Sequence, residues 1–154
     1  MKVEIKIDRS CMETTVTICA KELTDEISDL AEKLQADDPR FLIGIDEERA
    51  VILDTQQVIR IFALKQKVIA VVQNVAGPAP ATREYALKLR LYELEERLPD
   101  KQFVRISHSE IINLKKVRDF DLSFAGSIQV RFIDGSTTFV SRRYVAKIKH
   151  TLGL

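Results

Sequence analysis

Short segments in which apolar and polar residues alternate recur along this chain from Phe41 to Val140. Alternation with a period of two is typical of a strand that buries one of its faces. Residues that favour turns separate the segments, as they do in strand-rich proteins. We predict strands at Phe41–Ile45, Ala50–Leu53, Val58–Ala63, Val68–Gln73, Glu84–Arg90, Phe103–Ile106, Val117–Leu122, Ser127–Ile133 and Thr137–Val140.

The connections between these segments carry turn signals of their own. Turns are expected at Asp46–Arg49 and Ala63–Lys67, with a tight hairpin at Asp134-Gly135 and a looser turn at Gly126. The segment Gly77–Pro80 is expected to be a loop, because proline lacks a backbone donor and biases the preceding residue away from the helical region. The last three predicted strands therefore form a β-meander.

Helical spacing is confined to a few short stretches. Apolar residues from Leu23 to Leu34 fall on one helical face, and Thr24 is the expected N-cap. A second short helix is predicted from Leu91 to Leu98. A final helix is expected after the N-cap Ser141 and before Gly153, which suits a helix end.

The segment that follows the strand Phe103–Ile106 carries a capping signal. Ser107-x-x-Glu110 has the spacing of a capping box, in which the serine hydroxyl accepts from a backbone amide and the glutamate reaches back to the serine N–H. This spacing predicts a helical turn that leads into Ile111-Ile112.

The first forty residues look like a separate β-β-α unit. Val3–Ile7 and Thr15–Ala20 alternate as strands do, and the helix that follows them is expected to end at Asp38-Pro39. We predict two domains, an N-terminal extension at residues 1–49 with a dimerisation or regulatory role, and a second domain at residues 50–154. The predicted fold class is therefore α+β.

Charge is distributed unevenly along the chain. Residues 1–49 carry 7 Lys and Arg against 13 Asp and Glu, whereas residues 99–154 carry 10 against 5. An acidic front and a basic back are common in proteins that bind nucleic acid. The same distribution also arises from two solvated surfaces of unlike sign.

Motifs of catalysis, metal binding and membrane insertion are missing from the sequence. It has no Gly-rich phosphate loop, and adjacent residues such as Glu95 and Glu96 diverge on a helix, so they cannot act as a carboxylate pair. Cys11 and Cys19 lack metal-site spacing. No apolar run reaches the roughly 18 residues of a membrane span. We expect a soluble cytoplasmic protein that is not an enzyme and has no metal, cofactor or small-molecule substrate.

The C-terminal half carries motifs that resemble a known family. They are Arg90-Leu91-Tyr92-Glu93-Leu94-Glu95-Glu96-Arg97-Leu98-Pro99, Phe103-Val104-Arg105-Ile106-Ser107-His108-Ser109, Ile112-Asn113-Leu114 and Val140-Ser141-Arg142-Arg143-Tyr144-Val145. In this order they resemble the LytTR-type DNA-binding domain of bacterial transcription regulators. The resemblance spans about residues 50–154 and does not cover residues 1–40.

The resemblance implies an elongated, mostly antiparallel β domain with short helices, whose loops enter successive major grooves of repeat sites in double-stranded DNA. Position by position, it implies a base contact from Arg143 and a polar contact from His108. A contact in the first β-turn falls near Gln66 or Lys67. Many members carry a phosphoreceiver domain, for which 49 residues are too few. The chain therefore resembles the short stand-alone members, which are often encoded beside a small membrane protein that restrains them.

The residues themselves give these contacts a physical basis. Arg143 is expected near the second position of the last helix, where free amides favour a phosphate and an arginine can also bind guanine through two hydrogen bonds. His108 is expected at the start of a helical turn. Lys115 and Lys116 form a basic run with Arg118 that suits phosphates, and outward-facing Arg105 could join it. The complete set of expected DNA contacts is Arg143, His108, Arg142, Ser107, Ser109, Lys115, Lys116, Lys65, Gln66 and Lys67.

The sequence therefore predicts a sequence-specific transcription regulator that binds DNA as a homodimer. Two other classes stay open at this stage. The chain could be a protein-interaction module whose basic C-terminal surface binds an acidic partner, or an RNA-binding protein, although exposed stacking aromatics are few.

Overall fold

The computed structural model describes residues 1–36, 40–74 and 81–154, which form two compact units. One unit is Met1–Ala36, and the other contains the described residues from Arg40 onward. The boundary predicted at residue 49 lies inside a hairpin of the second unit. The end of the first helix predicted at Asp38-Pro39 and the loop predicted at Gly77–Pro80 lie outside the described residues.

The N-terminal unit contains one regular element, helix α1 (Asp25–Ala36), within its described residues. The Thr24 hydroxyl accepts a hydrogen bond from the Ile27 amide at 3.3 Å, which confirms the predicted N-cap. The two predicted strands of the β-β-α unit are absent from residues 1–24. Alternating residues form a strand only where a neighbouring strand accepts their backbone hydrogen bonds, and the side chains of Val3, Ile5 and Ile7 are exposed.

The described residues of the second unit form ten strands and two further helices. In chain order they are β1 (Phe41–Asp46), β2 (Arg49–Asp54), β3 (Val58–Leu64), β4 (Lys67–Asn74), β5 (Ala81–Leu87), α2 (Leu91–Arg97), β6 (Phe103–Ser107), β7 (Glu110–Asn113), β8 (Val117–Asp121), β9 (Ile128–Phe132), β10 (Thr137–Val140) and α3 (Arg142–Thr151). Short 3-10 turns at Thr55–Gln57 and Leu114–Lys116 precede β3 and β8. The predicted α+β class, mostly antiparallel, is confirmed.

The strands form two antiparallel sheets. The first has seven strands in the order β2-β1-β5-β4-β3-β7-β6, and the second has three in the order β10-β9-β8. Strands β3 and β7 are distant in sequence but adjacent in the sheet, with Arg60 opposite Ile112 and Phe62 opposite Glu110. This pairing brings the β3–β4 hairpin beside the β6–β7 hairpin.

Two apolar cores hold the second unit together. One packs α2 against the seven-stranded sheet and contains Leu94, Leu98 and Ile61. The other contains residues of both sheets and α3, among them Ile106, Phe132 and Ile148. Ile148 of α3 is fully buried. Burial of one such side chain stabilises the fold by about 2 kcal/mol.

The helical turn predicted after Ser107 is wrong, because residues 110–113 form strand β7. Glu110 does not cap a helix. One carboxylate oxygen accepts a hydrogen bond from Arg60 at 2.9 Å, and the other accepts one from Thr138 at 2.6 Å. A capping box and a short turn between strands share this local sequence, and the distant partners of Glu110 select the strand.

Candidate nucleic-acid interface

Two hairpin turns lie side by side at one end of the seven-stranded sheet. The backbone N–H of Ala63, at the end of β3, donates to the Ser109 carbonyl at 2.8 Å. Both turns contribute to one concave surface, called here the basic cleft. Its polar lining consists of Gln66, Lys67, Lys88, Arg90, Tyr92, Arg105, His108 and Ser109.

The β3–β4 turn holds two non-glycine residues in the left-handed region. Lys65 has a φ of 49° and Gln66 a φ of 65°, as in the two-residue turn that best matches the twist of a hairpin. Asparagine and glycine are the residues that normally occupy these positions. Long polar side chains there carry a conformational cost, and such local strain concentrates at functional sites.

The β6–β7 turn presents His108 and Ser109 as exposed residues. The Ser107 hydroxyl accepts a hydrogen bond from the Ser109 amide at 3.2 Å. Arg105 lies behind this turn, and its side chain is only 11% exposed. The expectation that Arg105 faces outward with the basic run is therefore wrong.

The N-terminus of α3 is tied to the end of β6. The Ser141 N–H donates to the Ile106 carbonyl at 2.9 Å, one residue before the β6–β7 turn begins. Ser141 is the N-cap by position, but its hydroxyl makes no capping hydrogen bond. Arg142 and Arg143 occupy the first two positions of the helix and are exposed. The predicted position of Arg143 is confirmed.

The two arginines differ in their surroundings. The Arg142 guanidinium lies against Gly126 in the β8–β9 loop. Neither arginine is found in a salt bridge within the described part of the chain. Unpaired arginines at a helix N-terminus, where backbone amides are also unsatisfied, provide a favourable site for a phosphate. We call the β3–β4 turn, the β6–β7 turn and the start of α3 the recognition surface.

Lys115 and Lys116 lie at the other end of β7 from this surface. The Asn113 amide donates to the Val58 carbonyl at 2.7 Å, and its oxygen accepts from the Lys115 N–H at 3.0 Å. Asn113 is thus a buried residue that begins the turn Leu114–Lys116. Strand β3 has 7 residues, so at about 3.3 Å per residue it separates Lys115 from the turns by roughly 20 Å. The Lys116 ammonium donates to Gln73 at 3.0 Å and Gln57 at 3.4 Å.

Lys88 and Arg90 line the basic cleft but do not belong to the predicted set of DNA contacts. Both are exposed, and they alternate with Leu87 and Leu89. Only the pairing of β5 with β4, which sets Val68 opposite Leu87, places them beside the β3–β4 turn. Their alternation with Leu87 and Leu89 was the signal in the sequence that could have identified them. It placed both basic residues on the solvent side of the predicted strand.

Hydrogen bonds shift the pKa values of two charged residues in β8 and β9. Hydrogen bonds from the Ser123 hydroxyl and N–H lower the pKa of Asp121. The Asp119 carboxylate raises the pKa of Arg131 through a hydrogen bond. Within residues 1–36, 40–74 and 81–154, no group of three or more His, Cys, Asp or Glu is arranged to hold a metal ion. The same residues include no helix that is both long and apolar enough to cross a membrane.

Comparison with known protein families and with curated proteins finds similar proteins that bind DNA or regulate transcription. The family model for the LytTr DNA-binding domain matches residues 48–153. Two relatives from Staphylococcus aureus strains NCTC 8325 / PS 47 and COL, each named an HTH-type transcriptional regulator, are 30% identical over 100% of this chain and 99% of their own length.

A solved structure shares the fold. It is the LytTr DNA-binding domain of a methyl-accepting/DNA response regulator from Bacillus cereus, with a TM-score of 0.67 and 17% sequence identity. The match covers 75% of this chain and 98% of that one.

Proposed function

The chain belongs to the LytTr DNA-binding domain family, and we propose that it is a sequence-specific transcription regulator. Its recognition surface inserts into successive major grooves of a repeat site in double-stranded DNA. The observation that carries this proposal is the placement of two exposed polar turns and an arginine-bearing helix N-terminus on connected elements. Ser141 joins α3 to β6 and Ala63 joins β3 to the β6–β7 turn, so the surface is preorganised.

Within this surface, Arg143 and His108 are proposed to contact base edges. An arginine can bind the O6 and N7 atoms of guanine through two hydrogen bonds, which discriminates against another base by about 1–3 kcal/mol. Ser107, Ser109, Arg142, Lys65, Gln66 and Lys67 are proposed to contact the same grooves and their phosphates.

Phosphate contacts are proposed for the basic residues at the rim. Lys67, Lys88 and Arg90 line the basic cleft, where each can neutralise a phosphate without reading sequence. Lys115 and Lys116 belong to the interface only if the duplex runs along the length of β7. Lys115 is exposed and suits this role better than Lys116, whose ammonium already contacts two glutamines.

Homodimerisation is proposed through the N-terminal units of two copies. Val3, Ile5 and Ile7 lie close together in the sequence and are 77%, 81% and 88% exposed. Exposed apolar residues grouped in this way suit a protein partner. A dimer would also match a repeat site, because linked binding sites raise the effective concentration of the second contact.

The cell compartment and a restraining partner are proposals on the same basis. A regulator of transcription acts where the DNA is, so we propose the bacterial cytoplasm as its compartment. Because the chain resembles short stand-alone regulators, we also propose that a small membrane protein restrains its activity. Copurification of the tagged regulator with a detergent-solubilised membrane fraction tests this partner.

Selection from a pool of random duplex DNA tests the proposed function. The purified full-length protein should enrich a repeated motif over successive rounds. Binding to the winning duplex should exceed binding to a scrambled duplex of the same composition by at least about a thousandfold at physiological salt. Equal affinity for all duplexes, with steep loss of binding as salt rises, would instead favour an acidic protein or RNA as the partner.

A further inference from the structure

Arg105 makes three polar contacts behind the β6–β7 turn. Its Nε donates to the Ser107 carbonyl at 2.9 Å and one Nη to the His108 carbonyl. The other Nη pairs with the Glu95 carboxylate of α2 at 2.9 Å. All three guanidinium nitrogens are thus engaged, while the side chain is 11% exposed. Three of the five guanidinium N–H donors are used in this way, so the nearly buried guanidinium has little left to offer a phosphate.

These contacts determine how the turn faces outward. The Ser107 and His108 carbonyls both point toward Arg105, and in a planar trans peptide the N–H points opposite to the carbonyl. The N–H groups of His108 and Ser109 are therefore turned away from the guanidinium. The Ser109 N–H meets the Ser107 hydroxyl, and the side chain of His108 is left exposed between the two oriented peptides.

The turn also lacks the backbone geometry that closes a two-residue hairpin by itself. Such hairpins favour turns with left-handed residues. The neighbouring β3–β4 turn has two, Lys65 and Gln66, whereas neither His108 nor Ser109 has a positive φ. An outside support for the β6–β7 turn is consistent with this difference, and the planar fork of Arg105 provides it.

We propose that Arg105, itself oriented by Glu95, is a positioning residue for sequence recognition. It holds the two turn carbonyls so that His108 meets the DNA in one conformation, and it does not contact the DNA itself. The inference rests on the proposed function for its link to DNA. Its structural half, the control of the turn by Arg105, holds for the DNA-free protein as well.

Three substitutions distinguish positioning from phosphate contact. Arg105→Gln removes the charge and the fork, Arg105→Lys keeps the charge without the fork, and Glu95→Gln weakens the anchor. If Arg105 is a positioning residue, both Arg105 variants should lose about tenfold or more in affinity for the selected duplex. Affinity for the scrambled duplex and the slope of log affinity against log salt should stay at the wild-type values. Glu95→Gln should give a smaller loss of the same kind.

A double-variant cycle connects Arg105 to His108. If Arg105 acts through His108, Arg105→Gln combined with His108→Ala should bind the selected duplex no more weakly than His108→Ala alone. Arg131→Gln is the matched control, because Arg131 is an exposed arginine of β9 that pairs with Asp119. It should leave the specific affinity unchanged. Thermal unfolding of every variant shows whether each remains folded at the assay temperature.

Hydrogen exchange in the DNA-free protein tests the structural half alone. Arg105→Gln and Arg105→Lys should accelerate exchange at the Ser109 and Glu110 amides, while the Lys67 and Val68 amides of the other hairpin stay unchanged. Unaltered exchange at Ser109 would overturn the positioning role. Rescue of DNA affinity by Arg105→Lys, with a salt slope lowered by about one for Arg105→Gln, would overturn it in favour of a phosphate contact. A wild-type protein without sequence preference would refute the proposed function instead.

Discussion

The Thr138 hydroxyl donates a hydrogen bond to the Glu110 carboxylate at 2.6 Å, and this bond joins the two sheets. Glu110 begins β7 in the seven-stranded sheet, and Thr138 lies in β10 of the three-stranded sheet. The second carboxylate oxygen pairs with Arg60, whose guanidinium stacks over Phe62 and Phe132. One carboxylate thus connects the hairpin that carries His108 with the strand that leads into α3.

Replacement of Glu110 should destabilise the fold. Glu110→Ala removes the acceptor of two hydrogen bonds and leaves Arg60 without its ion-pair partner. Because the Glu110 side chain is 10% exposed and Arg60 25%, we expect a loss of about 2 kcal/mol in the free energy of unfolding, measured by urea denaturation. Thr138→Val removes only one hydrogen bond and should cost about 1 kcal/mol. Equal stabilities of wild type and Glu110→Ala would show that the bridge contributes nothing.

Removal of the Arg143 side chain should relax the choice of one base. We expect Arg143→Ala to lower affinity for the selected duplex by about 1–3 kcal/mol, with little preference left at a single base position. Titration of duplexes that carry each base at each position measures both effects. Lys147→Ala, an exposed cation one turn further along α3, is the matched control. A folded Arg143→Ala protein that keeps every base preference would exclude the contact.

Changes in the β3–β4 turn that raise the stability of the fold should weaken DNA binding. Lys65→Asn with Gln66→Gly installs the residues that left-handed positions favour, so we expect the free energy of unfolding to rise by about 0.5–1 kcal/mol. The same variant lacks two polar side chains of the recognition surface and should bind the selected duplex more weakly. Thermal unfolding and DNA titration test the two effects separately. A more stable protein with unchanged affinity would mean that this turn does not meet DNA.

Lys67 and Lys115 should differ in their contribution to the salt dependence. Lys67 lines the basic cleft, whereas Lys115 lies roughly 20 Å away at the far end of β7. If the duplex lies across the recognition surface, Lys67→Ala lowers the salt slope by about one and weakens selected and scrambled duplexes alike. Lys115→Ala should then change neither quantity. A matching drop for Lys115→Ala would extend the interface along β7.

The N-terminal unit should control assembly. We expect Ile5→Asp to convert a homodimer into a monomer, because it introduces a charge among the exposed apolar residues Val3, Ile5 and Ile7. Sedimentation at tens of micromolar gives the mass, and Lys6→Asp, a change at the neighbouring exposed polar residue, is the control. A fragment of residues 41–154 should likewise be monomeric, bind a half-site and lose affinity for the full repeat. A monomeric wild type, alone and on DNA, would refute this role.

Most strands could be predicted from the sequence because alternation reports local burial directly. The hairpin at Asp134-Gly135 was likewise predictable, since Gly135 takes a φ of 87°, which glycine adopts without strain. The predictions that were wrong concern segments whose structure depends on residues far away in the chain. The capping spacing at Ser107 was overridden by Arg60 and Thr138, which hold Glu110 in a strand. At the N-terminus the same alternation led to no strand in residues 1–24, where no neighbouring strand pairs with it.

Arg105 shows where alternation stops being informative. Its side chain does point away from the side of Val104 and Ile106, as the pattern indicated. That side of β6 is covered by α2, however, and the Glu95 carboxylate lies there to meet the guanidinium. A pattern of period two distinguishes the faces of a strand, but it cannot show that both are covered.

The pairing of β3 with β7 has a consequence for how the protein folds. Arg60 and Glu110 are 50 residues apart in the chain, so this pairing requires a long loop to close and should be among the later, slower events of folding. Each hairpin can form early from its own local contacts, yet neither presents the complete recognition surface. Competence to read DNA should therefore arise in a single late step, and partly folded chains should not compete with the mature regulator for its sites.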